Sequence, residues 1–141
     1  MNIVVDASLV LKWFVVEEDS AAALRVRIEH DIVAPDLLLI ECRNALLNKV
    51  RRQEIEPAVA EDAESALDAL GLGIAILPSP PMLRHAFTIA LDLGEPIYDC
   101  VYLAAALATD RKLITADARF AAKVARSQFG KDLIEVLAKA P

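Results

Sequence analysis

Four carboxylates occupy places in this sequence where a carboxylate is hard to accommodate. Asp6 ends the run Ile3-Val4-Val5, and Glu41 interrupts Leu37-Leu38-Leu39-Ile40-Glu41-Cys42. Asp99 lies within Ile97-Tyr98-Asp99-Cys100-Val101, and Asp117 follows Leu113-Ile114-Thr115-Ala116. A buried carboxylate is costly unless it is paired, hydrogen-bonded or bound to a cation. No Lys or Arg stands immediately beside Asp6, Glu41 or Asp99. If the four converge in space, a hard divalent cation is the natural partner, because Mg²⁺ and Mn²⁺ prefer oxygen ligands. That donor set points to metal-dependent phosphoryl chemistry.

Each acid also has a plainer reading. Asp6 and Asp117 precede helical segments and suit their N-caps. Glu41 forms a polar stripe with Asn44 and Asn48 at i+3 and i+7, which a solvated outer helix face explains equally well. Asp99 shares a helix face with Tyr102, Leu103 and Ala106, where a buried cap is the alternative. The joint pattern carries more than any single acid, since two fall at strand ends and two on flanking helices.

The elements that must position these residues alternate along the chain. Strands are predicted over Asn2–Val5, Ile32–Ala34, Ile74–Leu77 and Lys112–Thr115, with a last edge strand over Leu133–Leu137. Helices are predicted over Ser8–Val15; from Ser20, as N-cap, to His30; from the Pro35-Asp36 opening to Arg52; and over Pro57–Leu70, stopped by Gly71 and Gly73. Three more follow over Met82–Leu93 up to Gly94, Tyr98–Thr109 and Asp117–Ser127. This alternation predicts an α/β fold, a three-layer α/β/α arrangement around a mainly parallel sheet of four to five short strands. Ligands in such folds gather at the C-terminal ends of the strands, where Asp6 and Asp117 fall.

With 141 residues the chain makes one domain able to bury a proper core. A hydrophobic share of 56% and a mean hydropathy of +0.41 are high, and they predict a doubly covered sheet plus a face that meets another subunit. The longest apolar run, Cys100 to Ala108, is far short of the ~18 residues of a membrane span. The N-terminus lacks the basic region of a signal peptide. Cys42 and Cys100 show no metal-binding spacing and read as buried, reduced thiols, so a cytoplasmic protein fits. A net charge of −6 counts against a nucleic-acid binder, but setting the four acids aside leaves only −2. Basic residues cluster at Arg25/Arg27, Lys49/Arg51/Arg52, Arg111/Lys112 and Arg119/Lys123/Arg126. They are either solvated helix faces or a hold on a phosphate backbone.

Four blocks carry a family resemblance: Val4-Val5-Asp6-Ala7-Ser8-Leu9-Val10-Leu11-Lys12-Trp13-Phe14, Glu41-Cys42-Arg43-Asn44-Ala45-Leu46, Tyr98-Asp99-Cys100-Val101-Tyr102-Leu103-Ala104, and Leu113-Ile114-Thr115-Ala116-Asp117-Ala118-Arg119-Phe120. In order, they resemble the PIN-domain family and particularly its VapC-like toxins of toxin–antitoxin pairs. The segment from Gln128 onward is the least family-like. The resemblance implies an RNA endonuclease restrained by a cognate antitoxin. Asp6, Glu41 and Asp99 would hold Mg²⁺ or Mn²⁺, with Asp117 completing the site or a second metal. Ser8, Asn44 and Thr115 would support them. The apolar content predicts a homodimer. His30 and His85 lie outside all four blocks, and Trp13 and Phe14 suit packing better than base stacking. A phospho-acceptor domain fits poorly because Pro78 follows the strand where its acceptor Asp belongs. A haloacid-dehalogenase-type phosphatase would need Asp-x-Asp where Asp6-Ala7-Ser8 stands. A catalytically silent PIN-like binding module has no reason to keep four mutually repelling acids.

Overall fold

The computed structural model describes residues 2–68 and 73–138. In chain order they form β1 (Asn2–Val5), α1 (Ala7–Val10), α2 (Ser20–Glu29), β2 (Asp31–Pro35), α3 (Leu37–Arg51), α4 (Pro57–Asp68), β3 (Ala75–Leu77), α5 (Leu83–Leu93), α6 (Ile97–Ala108), β4 (Lys112–Thr115), α7 (Ala118–Ala125) and β5 (Ile134–Val136). One sheet collects all five strands in the order β3-β2-β1-β4-β5, and every pairing is parallel. Helices flank this sheet in three α/β/α layers. Parallel neighbours require crossovers, which the intervening helices supply. The central strands are apolar on both faces, as a doubly covered sheet demands: Ile3, Val4, Val5, Leu113 and Ile114 are all buried.

The helices follow from their buried stripes. Leu38, Cys42 and Leu46 recur at i, i+4 and i+8 on α3 and turn inward. From Cys100 to Ala106 every residue of α6 is buried, and this helix crosses β1, β2 and β4 with α5 packed on its other side. The small Ala104, Ala105 and Ala106 permit that close approach. Gly94 ends α5 in the left-handed region (φ 66°), which a residue without Cβ adopts readily.

The structure revises several local readings. The helix expected over Ser8–Val15 is only α1, tightened into a 3₁₀ turn at Leu11–Trp13. Lys12 is drawn there to Glu17 at 2.7 Å and Asp19 at 2.8 Å. Ser20 is not an N-cap but the first residue of α2, because its hydroxyl is committed to the preceding loop. That hydroxyl accepts from Glu17 N at 2.8 Å and donates to Val15 O at 3.3 Å. Pro35 ends β2 instead of opening α3, and Asp36 instead receives the Ser79 N–H (3.2 Å) and hydroxyl from the loop after β3. The expected end of the fourth helix at Leu70 and Gly71 lies outside the described residues. The last strand forms beside β4, and bonds from Leu113 N to Leu133 O (2.9 Å) and from Leu137 N to Thr115 O (2.7 Å) flank it.

Candidate active site

The strand order places β1 between β2 and β4, so successive crossovers depart to opposite sides of β1. A crevice opens at that switch, outside the C-terminal ends of the strands. The register pairs Val5 with Ile114, which sets the next residues, Asp6 and Thr115, side by side. Asp6 is held on both carboxylate oxygens. Its Oδ1 accepts from the Ser8 hydroxyl at 2.6 Å and from Leu9 N at 3.2 Å, and its Oδ2 accepts from the Thr115 hydroxyl. Thr115, fully buried, also accepts from Asp117 N at 3.0 Å, while Ser8 Oγ accepts from Ala116 N at 3.1 Å. Two hydroxyls thus lock the start of α1 to the end of β4. Asp6 and Asp117 are both true N-caps: Asp117 Oδ1 receives Phe120 N at 3.0 Å. Capping and a place at the crevice prove compatible.

All four acids line one cavity of about 280 Å³, together with Ser8, Asn44, Asn48 and Tyr102. Glu41, Asn44 and Asn48 come from α3, so their stripe faces the crevice. Asp99 and Tyr102 come from the first turns of α6. Crowding acids in a partly dry crevice disfavours their charged forms. Burial, then the charges of Glu41, Asp117 and Asp6, push the Asp99 pKa up to about 6. Burial also raises Asp6, outweighing the hydrogen bonds from Ser8, Thr115 and Leu9. Glu41 is raised by burial and by Asp6.

The oxygen-rich donor set suits a hard divalent cation. The Tyr102 hydroxyl, on a residue 1% exposed, faces Glu41 in the same cavity and lowers its pKa against the larger effect of burial. Among the described residues, no three Asp, Glu, His or Cys side chains stand close enough to hold a metal ion as placed. Asp6 and Asp117 are turned toward their helix caps.

Other candidates resolve as packing. Trp13 donates to Ala23 O at 2.8 Å, with the Arg27 guanidinium 5.1 Å over its ring. His30 turns back to Val26 O and His85 is exposed on α5; neither lines the cavity. Cys42 and Cys100 are buried free thiols, whose pKa values burial pushes up to about 12 and about 11. Sequence reasoning gave no role to two residues near the site. Tyr102 was signalled by its place on the face of Asp99. Glu95 has no local signal at all, because its partners Arg119 and Lys123 lie far along the chain.

Comparison with known proteins bears on the family and the fold. The PIN domain family model matches residues 3–126. Ribonuclease VapC3 of Pyrobaculum aerophilum is 32% identical over 124 residues, covering 87% of this chain and 95% of the relative. Ribonuclease VapC1 of Mycobacterium tuberculosis is 38% identical over 121 residues, covering 84% of this chain and 88% of the relative. Among solved structures, the M. tuberculosis sarcin-ricin-loop-cleaving toxin VapC20 superposes with a TM-score of 0.66 at 15% identity, over 90% of this chain and 97% of that one. The DNA-bound VapBC2 complex of Rickettsia felis gives 0.65 at 14% identity, over 98% of this chain and 100% of its own. At those identities the structural likeness speaks for the fold. Among the described residues, no helix is long and apolar enough to cross a membrane.

Proposed function

The chain belongs to the PIN-domain family, and from that premise we propose that it is a VapC-like toxin, an Mg²⁺- or Mn²⁺-dependent endoribonuclease restrained by a cognate antitoxin in the cytoplasm. The observation that carries this reading is the single crevice lined by Asp6, Glu41, Asp99 and Asp117 at the C-terminal ends of β1 and β4. A divalent cation bound there supplies a lowered pKa for the attacking water and neutralises charge on the phosphate oxygens. Asp6 is the fixed member, since Ser8 and Thr115 hold its carboxylate from both sides. Glu41 and Asp99 approach from α3 and α6, and Asp117 closes the site from the cap of α7. Asn44 and Asn48 line the mouth, where neutral amides suit a sugar or phosphate edge.

The exposed stripe Leu83, Phe87 and Leu91 on α5 supports a homodimer, since an apolar row of this kind on a small domain is a natural subunit contact. The deciding experiment incubates the purified protein with single-stranded or loop-containing RNA. Cleavage is expected with Mg²⁺ or Mn²⁺, to stop with EDTA, and to run slowly with Ca²⁺, whose looser coordination activates water poorly. Cleavage that survives exhaustive chelation overturns the metal mechanism. A folded protein that leaves every RNA intact in Mn²⁺ overturns the enzyme.

A further inference from the structure

Glu95 is a carboxylate with no place in the crevice, yet its side chain is only 3% exposed. It follows Gly94, whose left-handed backbone turns the chain from α5 toward α6, and it precedes Asp99 by four residues. Its oxygens are covered by the cations that pair with them, whose own side chains stay 65% and 39% exposed. Both oxygens are matched from a single helix. Arg119 grips it with two parallel bonds, Nη1 to Oε1 at 2.7 Å and Nη2 to Oε2 at 3.1 Å. Lys123, one turn further along α7, reaches Oε1 at 3.2 Å. The fork-to-fork geometry fixes direction as well as distance.

Glu95 and Arg119 lie at the starts of α6 and α7, two of the helices that position site acids. Asp99 lies in the first turn of α6, and Asp117 caps α7 two residues before Arg119. We propose that Glu95, Arg119 and Lys123 form a clamp that sets the separation of Asp99 and Asp117, making them positioning residues for the divalent cation. The inference rests on the four-carboxylate reading above. Groups around a metal site that orient its ligands without touching the ion act in this manner, and their loss typically weakens metal binding about 10- to 100-fold.

Arg119 offers a test in which two mechanisms have opposite signs. Its positive charge acts directly on Asp117 and Asp99, so through charge alone its removal makes the crevice more negative and tightens cation binding. Through the clamp, its removal frees the two helix starts and loosens binding. Titration calorimetry of Mn²⁺ into the intact chain, without RNA, separates them. Expected are binding by the wild type, loss of binding in Asp99→Asn, about tenfold weaker binding in Arg119→Ala, and partial recovery in Arg119→Lys, which restores one ion pair. Unchanged or tighter Mn²⁺ binding in folded Arg119→Ala overturns the clamp and leaves the metal site standing. If Arg119→Ala fails to fold, Lys123→Ala, which removes the third contact of the clamp and a positive charge, decides in its place: weaker binding upholds the clamp as proposed, equal or tighter binding overturns it. A wild type that binds no Mn²⁺ overturns the metal reading and the clamp with it.

Discussion

Asp99→Asn removes one of the crowded charges while keeping the size of the side chain, and the structure fixes both the sign and the scale of the result. Burial together with Glu41, Asp117 and Asp6 raises the Asp99 pKa from 3.8 to about 6. The native protein therefore holds its proton where the unfolded chain has lost it. Stability contributed by that proton is full below pH 3.8, falls as pH rises through about 6, and is gone above. Two pKa units correspond to about 3 kcal/mol as an upper limit, and the partly exposed carboxylate screens this to about 1–2 kcal/mol. In EDTA at pH 7.5 the variant should melt higher than wild type by roughly 3–8 °C. Near pH 4 the gap should close. Mn²⁺ at ten times its dissociation constant should stabilise the wild type by about 1.4 kcal/mol and the variant much less. Thermal melts over this pH range, with and without Mn²⁺, make the measurement. A variant less stable by several kcal/mol at both pH values, with no metal shift in either protein, would show Asp99 to be a structural cap and refute the reasoning.

Three further outcomes are expected. Thr115→Val deletes a fully buried hydroxyl that serves Asp6 and Asp117 N, and should cost about 1–3 kcal/mol in denaturant melts and weaken cleavage; an unchanged midpoint would remove its positioning role. Cys42 and Cys100 should resist a thiol reagent at pH 8 until denaturant is added, because both are buried and protonated; stoichiometric labelling of the native protein would contradict this. Light scattering at micromolar concentration should give a dimer that Phe87→Asp reduces to monomer; a strictly monomeric wild type would rule out the α5 stripe as a contact.

Much of this arrangement is legible along the chain because its signals are local. Apolar strand runs, glycine and proline stops and acids at strand ends need only a few neighbouring residues to be read. The α/β alternation and the place of Asp6 and Asp117 follow from such signals. What escapes is set by distant partners. Ser20 carries the mark of a cap, but its hydroxyl is claimed by Val15 and Glu17, so tertiary hydrogen bonding overrides local preference. Pro35 looks like a helix opener, yet the bond from Asp36 N to Leu77 O, made with the strand that follows three elements later, holds it at the end of β2. Glu95 is invisible for the same reason, being explained only by cations more than twenty residues away on α7.

The bond between Thr115 and Asp6 joins residues 109 positions apart, and Ser8 meets Ala116 N across 108. The second residue of the chain already lies in the central strand, but the neighbour that completes its acidic end is made only after more than a hundred further residues. On a ribosome, β1 must wait for more than a hundred further residues before both oxygens of its carboxylate are fixed. A nascent or cleaved chain lacking residues 112–117 carries Asp6, Glu41, Asp99 and the Ser8 hydroxyl, but neither the Thr115 hydroxyl that holds Asp6 Oδ2 nor the fourth acid. Contacts across so long a separation are slow to form, so the crevice should be among the last features gained in folding.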